Sequence, residues 1–473
     1  MKKIHLVVSL LIVWGVGAAC GDEGDGNEDV SDDNSVETDT DTTRDSESET
    51  VEPVRDIAIT QSSKISTVAI VEWRNGLGDI DVEDIDDAYI EFGLGDDFTY
   101  TAPVNVSEKN MRTVLLGMKA NAMSYAVRST IVANGETYQS PVHTFETGFA
   151  PITVPAPSEE YRHNSIEIDE GFILTGTFSG EAWGIVIDTD GDVVWWTKGK
   201  KSTGTSSAGT SEMVMDWSGK YFYLIATNPS QVESEIRRIS LDGEEVKDYE
   251  AGAAHHSLAP VPEGGVAFVQ AQEDTCDAIM HLDEDGKITK LFGWTDVVDF
   301  STSCHTNYVG YEHDFDSFYL SSRNYDIAAC VSREGVLHWA LGRDEYETAK
   351  SQDFDIGNTH DVVALHGLYV WNKGRNLLLF NNAEGDTSRI YEYDIAADFK
   401  TAEIVWEYSR DGIGSLELGG VTRLPSGNTQ IVYSIAGIIN QLDANGTVIQ
   451  KIDVHEAIGY GNWRPSLYGP PPE

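Results

Sequence analysis

Basic residues are scarce in this chain. Only 32 Lys and Arg stand against 79 Asp and Glu, a formal net charge of −47, and the acidic excess is spread along the whole length. Nucleic-acid binding is driven by basic patches that release counterions, so this balance excludes it and favours a soluble surface. Long apolar runs are missing too: the stretch Ile4 to Val16 is too short to span a bilayer. No extended helical periodicity separates the strand signals, which excludes βαβ units. The chain has no glycine loop of the phosphate-cradling kind, no paired-cysteine motif and no calcium-ligand run, so neither a nucleotide, a metal nor another cofactor is expected. Only four cysteines are present, Cys20, Cys276, Cys304 and Cys330.

What the chain has in quantity is the β-hairpin. Ile187 to Trp196 is two β-branched or aromatic strands joined by Asp190-Gly191. Similar hairpins return around Asp242-Gly243, Asp285-Gly286, Glu334-Gly335 and Asn445-Gly446, with a longer version from Tyr393 to Trp406. Asp-Gly and Asn-Gly supply the positive φ that tight hairpin turns require. Six copies at intervals of roughly 45 to 65 residues fit blades of about four strands each. The expected fold is all-β, a six-bladed β-propeller over residues 150–473.

The chain before it divides into three. Met1-Lys2-Lys3, the apolar stretch and Gly17-Ala18-Ala19-Cys20 read as a lipoprotein signal peptide over 1–19, with Cys20 as the acylated residue. An ordinary signal cut near Ala19 is the other reading. Residues 20–56 are acidic, Ser/Thr/Gly-rich and poor in large apolar groups, which fits a disordered tether. The expected location is that of an exported lipoprotein of the outer membrane, on its periplasmic side or at the cell surface, held by a lipid anchor only. Residues 57–149 read as a small β-sandwich. Within it, Val114 to Arg128 resembles the tyrosine-bearing segment of fibronectin type III domains, and Thr144-Phe145-Glu146-Thr147-Gly148 resembles their closing strand. In an oxidising compartment Cys276, Cys304 and Cys330 form one bridge and leave one thiol, or form none.

Three histidine-bearing segments each precede an apolar stretch, a turn and a strongly hydrophobic strand. They are Gly252 to Gly264 with His255 and His256, Ser303 to Val309 with His305, and Asn358 to Val363 with His360. The strands that follow are Gly265–Gln270, Ser317–Ser322 and Asn376–Asn381. A repeat that sets a titratable residue at equivalent positions gathers those residues about one axis. Of the first pair, counting back from Gly264 favours His256 as the inward residue, since neighbours on a strand face opposite sides. The remaining histidines, His143, His163, His281, His313, His338, His366 and His455, read as ordinary surface or core groups. Trp195, Trp196 and Trp339 read as blade core.

These segments carry a family likeness. His305-Thr306-Asn307 with Leu320-Ser321-Ser322-Arg323-Asn324 is similar to the His-x-Asn and Ser-Ser-Arg segments of bacterial arylsulfate sulfotransferases. Thr359-His360-Asp361, with Leu377 to Asn382 and Ile404 to Tyr408, resembles the segment bearing that family's active-site histidine. Gly419 to Thr429 resembles its last-blade signature. The chain departs from the family pattern at Ser257, at Asn324 and in extra residues after His360, Leu368 to Lys373 among them. The resemblance implies nucleotide-independent transfer of a sulfuryl group from an aryl sulfate to a phenol through a sulfo-histidine. It makes His360 the nucleophile, with His305 and Arg323 catalytic and His255, His256 and Asn307 substrate-binding. The residue types suit the chemistry: a guanidinium holds two sulfate oxygens, Asn307 can donate to a third, and a neutral imidazole is a competent nucleophile. A non-catalytic lipid-anchored propeller that binds an aromatic or anionic ligand is the other reading.

Overall fold

In the computed structural model the described residues are 57–73, 78, 80–106, 111–178, 182–199, 209–227, 234–273, 275–297, 304–342, 362–382 and 387–469. Strands dominate, and among these residues the one α-helix is the single turn Trp294–Val297. The predicted residues 1–56, with Cys20, and His360 lie outside the described set.

Six antiparallel sheets follow one another from residue 158 onward, in a propeller-like arrangement. The second runs Gly209–Met215, Tyr221–Thr227, Glu235–Ser240, Val246–Glu250, and the third Ala254–Pro260, Val266–Gln270, Ala278–Leu282, Ile288–Gly293. The fourth comprises Thr306–Glu312, Ser317–Ser322, Ile327–Ser332 and Leu337–Leu341, and the fifth Leu368–Trp371, Asn376–Asn381, Arg389–Ile395 and Ala402–Ser409. In each, the strand earliest in the chain is innermost and touches the innermost strand of its neighbour.

The first and sixth sheets mix both ends of this region. Phe172–Gly176, Trp183–Asp188 and Val193–Lys198 take Asn462–Arg464 as their inner strand, with Ile173 opposite Trp463. Gly420–Arg423, Thr429–Tyr433, Ile438–Leu442 and Val448–Asp453 gain Ser158–Arg162 as their outer strand. The C-terminal strand in the first sheet and the N-terminal strand in the sixth thereby tie the two ends of this region together. The Asp-Gly and Glu-Gly hairpins join the two outer strands of four sheets, and the Asn-Gly hairpin joins the two strands just inside Ser158–Arg162 in the sixth. Their glycines Gly191, Gly243, Gly286, Gly335 and Gly446 all have φ between 73° and 93°, the conformation that only glycine adopts without strain. In the fifth sheet Phe399, φ 56°, takes that place.

Between the sheets lie the large side chains. Trp195 and Trp339 are fully buried, with Trp195 against Phe222 at 4.5 Å between ring centroids. Residues 57–146 form two further sheets. One is Ile57–Gln61, Ala69–Trp73, Met111–Leu115; the other is Tyr100–Pro103, Ile85–Leu94, Ser124–Ala133, Glu136–Gln139, with His143–Glu146 paired to Ser124–Ala133. Val71, Ile90, Phe92, Tyr125 and Val127 share their core, and Tyr125 Oη accepts the Lys119 N–H at 2.7 Å. These sheets are hydrogen-bonded to the propeller-like part: Thr67 Oγ1 donates to Val194 O at 2.7 Å, and Tyr468 Oη accepts from Leu116 N at 2.8 Å.

Candidate active site

All the inner strands run in the same direction about the axis, so their first residues converge at one end. The cavity there has a volume of about 250 Å³ and is lined by Ser211, His256, His305, Arg323, His366 and Glu417, with Phe178 and Leu418. Each imidazole comes from a different sheet. His305 immediately precedes Thr306–Glu312, His256 lies within Ala254–Pro260, and His366 stands just before Leu368–Trp371. The rings touch: His256 is 5.1 Å from His305 and 6.1 Å from His366 between centroids.

The backbone is bent to present them. His256, His305 and Leu418 have φ of 62°, 49° and 56°, and Ala364, which supports His366, has 51°. Non-glycine residues there cost on the order of 1 kcal/mol each, and such strain gathers at functional sites. At His256 a bulge between His255 and Leu258 takes up the irregularity. His256 therefore lines the cavity, while His255 sits behind it, 2.7 Å from it between Nδ1 atoms and with Nε2 3.6 Å from Asp277. Asp277 also accepts the Thr306 N–H at 2.5 Å. Its burial would raise the carboxyl, but the His255 and Thr306 contacts outweigh that and hold it below the usual range. Cys276, beside Asp277, is disulfide-bonded to Cys304, beside His305; Cys330 is buried and free.

His366 is the imidazole whose tautomer is fixed by its contacts. Its Nδ1 lies 2.9 Å from Ala364 O and 2.8 Å from Asn382 Oδ1. The Asn382 amide nitrogen donates to Ser415 O at 2.8 Å and Leu418 O at 2.6 Å, which orients that side chain. Two acceptors face Nδ1, so Nδ1 carries the proton and Nε2 carries the lone pair. Burial pushes His366 down to about 4, against the pull of Asn382 and Ala364. His305 is also lowered to about 4, first by burial, then by His255 and Arg323, while His256 is pushed well below its ordinary value by burial and the surrounding imidazoles. The imidazoles are thus neutral near pH 7. Arg323 is exposed at the cavity, and among the described residues its side chain has no ion pair. Its backbone N–H donates to His305 O at 3.0 Å, which fixes the two residues side by side.

Two expectations are corrected. His366, read as an ordinary group, is part of the cluster. The fifth inner strand begins at Leu368, eight residues beyond His360, so Leu368–Trp371 is that strand itself. Val362-Val363 has strand propensity, yet it lies in irregular chain where Ala364 turns left-handed. Counting back from the partner strand reveals the slip: His256 stands ten residues before Val266 and His366 ten before Asn376, while His360 stands sixteen before it. Asn307 is the second correction. It is fully buried and does not line the cavity, because its Nδ2 donates to Leu365 O at 2.6 Å; it anchors the segment bearing His366.

Residues 158–457 match the family model "Arylsulfotransferase (ASST)". The chain belongs to the arylsulfotransferase family. Membership makes sulfuryl transfer involving aryl sulfates its activity at the level of the family. No curated protein matches the chain at a significant level. Solved structures similar to it include virginiamycin B lyase from Staphylococcus aureus, 14% identical over 62% of this chain and 87% of that one, with a TM-score of 0.39. Another is the periplasmic gluconolactonase of Pseudomonas aeruginosa, 12% identical over 62% and 99%, with a TM-score of 0.40.

Proposed function

We propose that this arylsulfotransferase moves the sulfuryl group of an aryl sulfate to a phenol through a sulfo-histidine formed on His366. The supporting observation is the Asn382-fixed tautomer, which leaves the His366 Nε2 lone pair uncommitted in a cavity shared with Arg323. Nε2 attacks sulfur, the S–N bond forms, and the S–O bond breaks to release the phenolate. In the second half the acceptor oxygen attacks sulfur, the S–N bond breaks, and the electron pair returns to Nε2. The acceptor's proton passes to a base, and His256 is suited to that role, backed by His255 and Asp277. Charge spreads over the sulfuryl oxygens in a loose transition state, so positioning and electrostatics carry the catalysis, as in phosphoryl transfer. Arg323 supplies the positive charge and a two-point hold. His305, neutral, donates or accepts a hydrogen bond at the same group. Cys20 carries the lipid that places the enzyme at the outer membrane, and Cys20→Ala should move it to the soluble fraction.

The deciding experiment quenches the protein with a chromogenic aryl sulfate and no acceptor, then locates the label by mass spectrometry. His360 and His366 lie on one tryptic peptide, Ser351 to Lys373, so fragment ions must separate them. Sulfation of His366 is expected, with His366→Ala unable to cleave donor. Label on His360 returns the nucleophile to the residue that the family motif indicates. No label on any histidine, with no turnover, favours the ligand-binding reading.

A further inference from the structure

The inner strands end at a second cavity, on the side of the axis away from the histidines. It has a volume of about 470 Å³ and is lined by Trp217, Tyr308, Tyr311, Tyr319, Tyr369 and Trp371, among others. The strand Thr306–Glu312 passes from one cavity to the other: His305 precedes it in the first and Tyr311 is near its end in the second. At roughly 3.3 Å per residue His305 and Tyr311 are about 20 Å apart, and Tyr308, which also lines the second cavity, is about 10 Å from His305. Between them Asn307 is fully buried, and Tyr460 Oη donates to Asn307 O at 2.7 Å. The two cavities share no lining residue.

We propose that this second cavity is a separate binding site for a small uncharged aromatic alcohol of the phenol or naphthol type. Its volume suits one small ligand and not a macromolecular segment. Its walls are aromatic faces already set at ring-binding angles: Tyr369 and Trp371 stack at 5.5 Å, and Trp217 meets Tyr311 edge-on at 6.1 Å. Gly310 lets the Tyr319 ring lie flat on the strand, since a Cβ there would come within 2.1 Å of it. Tyr308, Tyr319 and Tyr369 line the space, and their hydroxyls can pair with a ligand hydroxyl. They remain protonated, because burial raises all three.

An anion is disfavoured. The cationic residue of the lining, Arg423, is engaged by Glu392, Thr429 Oγ1 and Gly427 O, and Glu212 lies close enough to raise Tyr308 and Tyr319 further. The proposal rests on this lining alone and is independent of the assignment of His366.

Calorimetric titration of the full protein with 1-naphthol tests it, with glucose as the non-aromatic comparison. Binding should persist in His366→Ala. It should weaken about tenfold in Trp371→Ala, which removes one stacking wall, and severalfold in Tyr369→Phe, which removes a hydroxyl and keeps the ring. Donor cleavage should be unchanged in both. Should Trp371→Ala fail to fold, Tyr369→Phe decides. Naphthol binding that vanishes in folded His366→Ala, or that ignores both chamber variants, overturns the site. So does binding of glucose in place of naphthol.

Discussion

A histidine nucleophile works only while neutral, so its environment sets the pH range of the enzyme. With His366 and His305 held near 4 by burial, the free enzyme keeps its lone pair well below the ordinary imidazole range. The profile of kcat/KM should stay level through about pH 6.5, the unperturbed histidine value, and fall on the acid side near 4; a limb at 6.5 would refute the assignment. The same lowering bears on stability. The unfolded chain takes up protons near 6.5 and the folded one only near 4, so stability is full above 6.5 and is lost as pH falls toward 4. Arg323 acts through charge and shape together. Arg323→Ala should cost on the order of 3 kcal/mol in the transition state, roughly a hundredfold in rate. Arg323→Lys should recover little, since an ammonium lacks the two-point hold.

Single elements hold the cluster. The Cys276–Cys304 bridge spans 28 residues and joins the neighbours of Asp277 and His305. Its loop length corresponds to about 3–4 kcal/mol of stability. Replacing both cysteines by serine should lower the denaturant midpoint accordingly and reduce turnover; lost stability with unchanged kcat would make the bridge purely structural. Asn382 is a positioning residue, acting through His366. Asn382→Ala should lower kcat about tenfold with KM little changed, because Ala364 O alone then holds the tautomer, and should cost about 1–2 kcal/mol of stability. An unaltered kcat would show that the backbone carbonyl suffices.

At the scale of the molecule, closure is the vulnerable step. Asn462–Arg464 completes the first sheet, and Asn462 Nδ2 ties it to the second by donating to Glu212 at 3.0 Å. Trp463, 8% exposed, packs in the core shared by the first, second and sixth sheets. Trp463→Ala should destabilise by about 3–5 kcal/mol, visible in urea unfolding, far more than an outer-strand change such as Val405→Ala, where the side chain is 53% exposed.

Local chemistry was enough to define the repeating unit. Asp-Gly and Asn-Gly turns, alternating apolar strands and the absence of helical periodicity identify the hairpins, because turn conformation and strand propensity are short-range properties. His256, His305 and Arg323 were legible for the same reason, each standing beside a recognisable hairpin. In the fifth sheet strand propensity pointed to the wrong start. Val362-Val363 looks like a strand start, and only pairing with Asn376–Asn381 places the strand at Leu368 and brings His366 into the cavity. The fate of Asn307 is likewise tertiary: its amide bonds to Leu365, 58 residues away. The bridge between Cys276 and Cys304, the closure by Ser158–Arg162 and Asn462–Arg464, and the lowered imidazoles have the same origin. Each depends on groups distant in the chain becoming neighbours and losing water, and none is written in any local pattern.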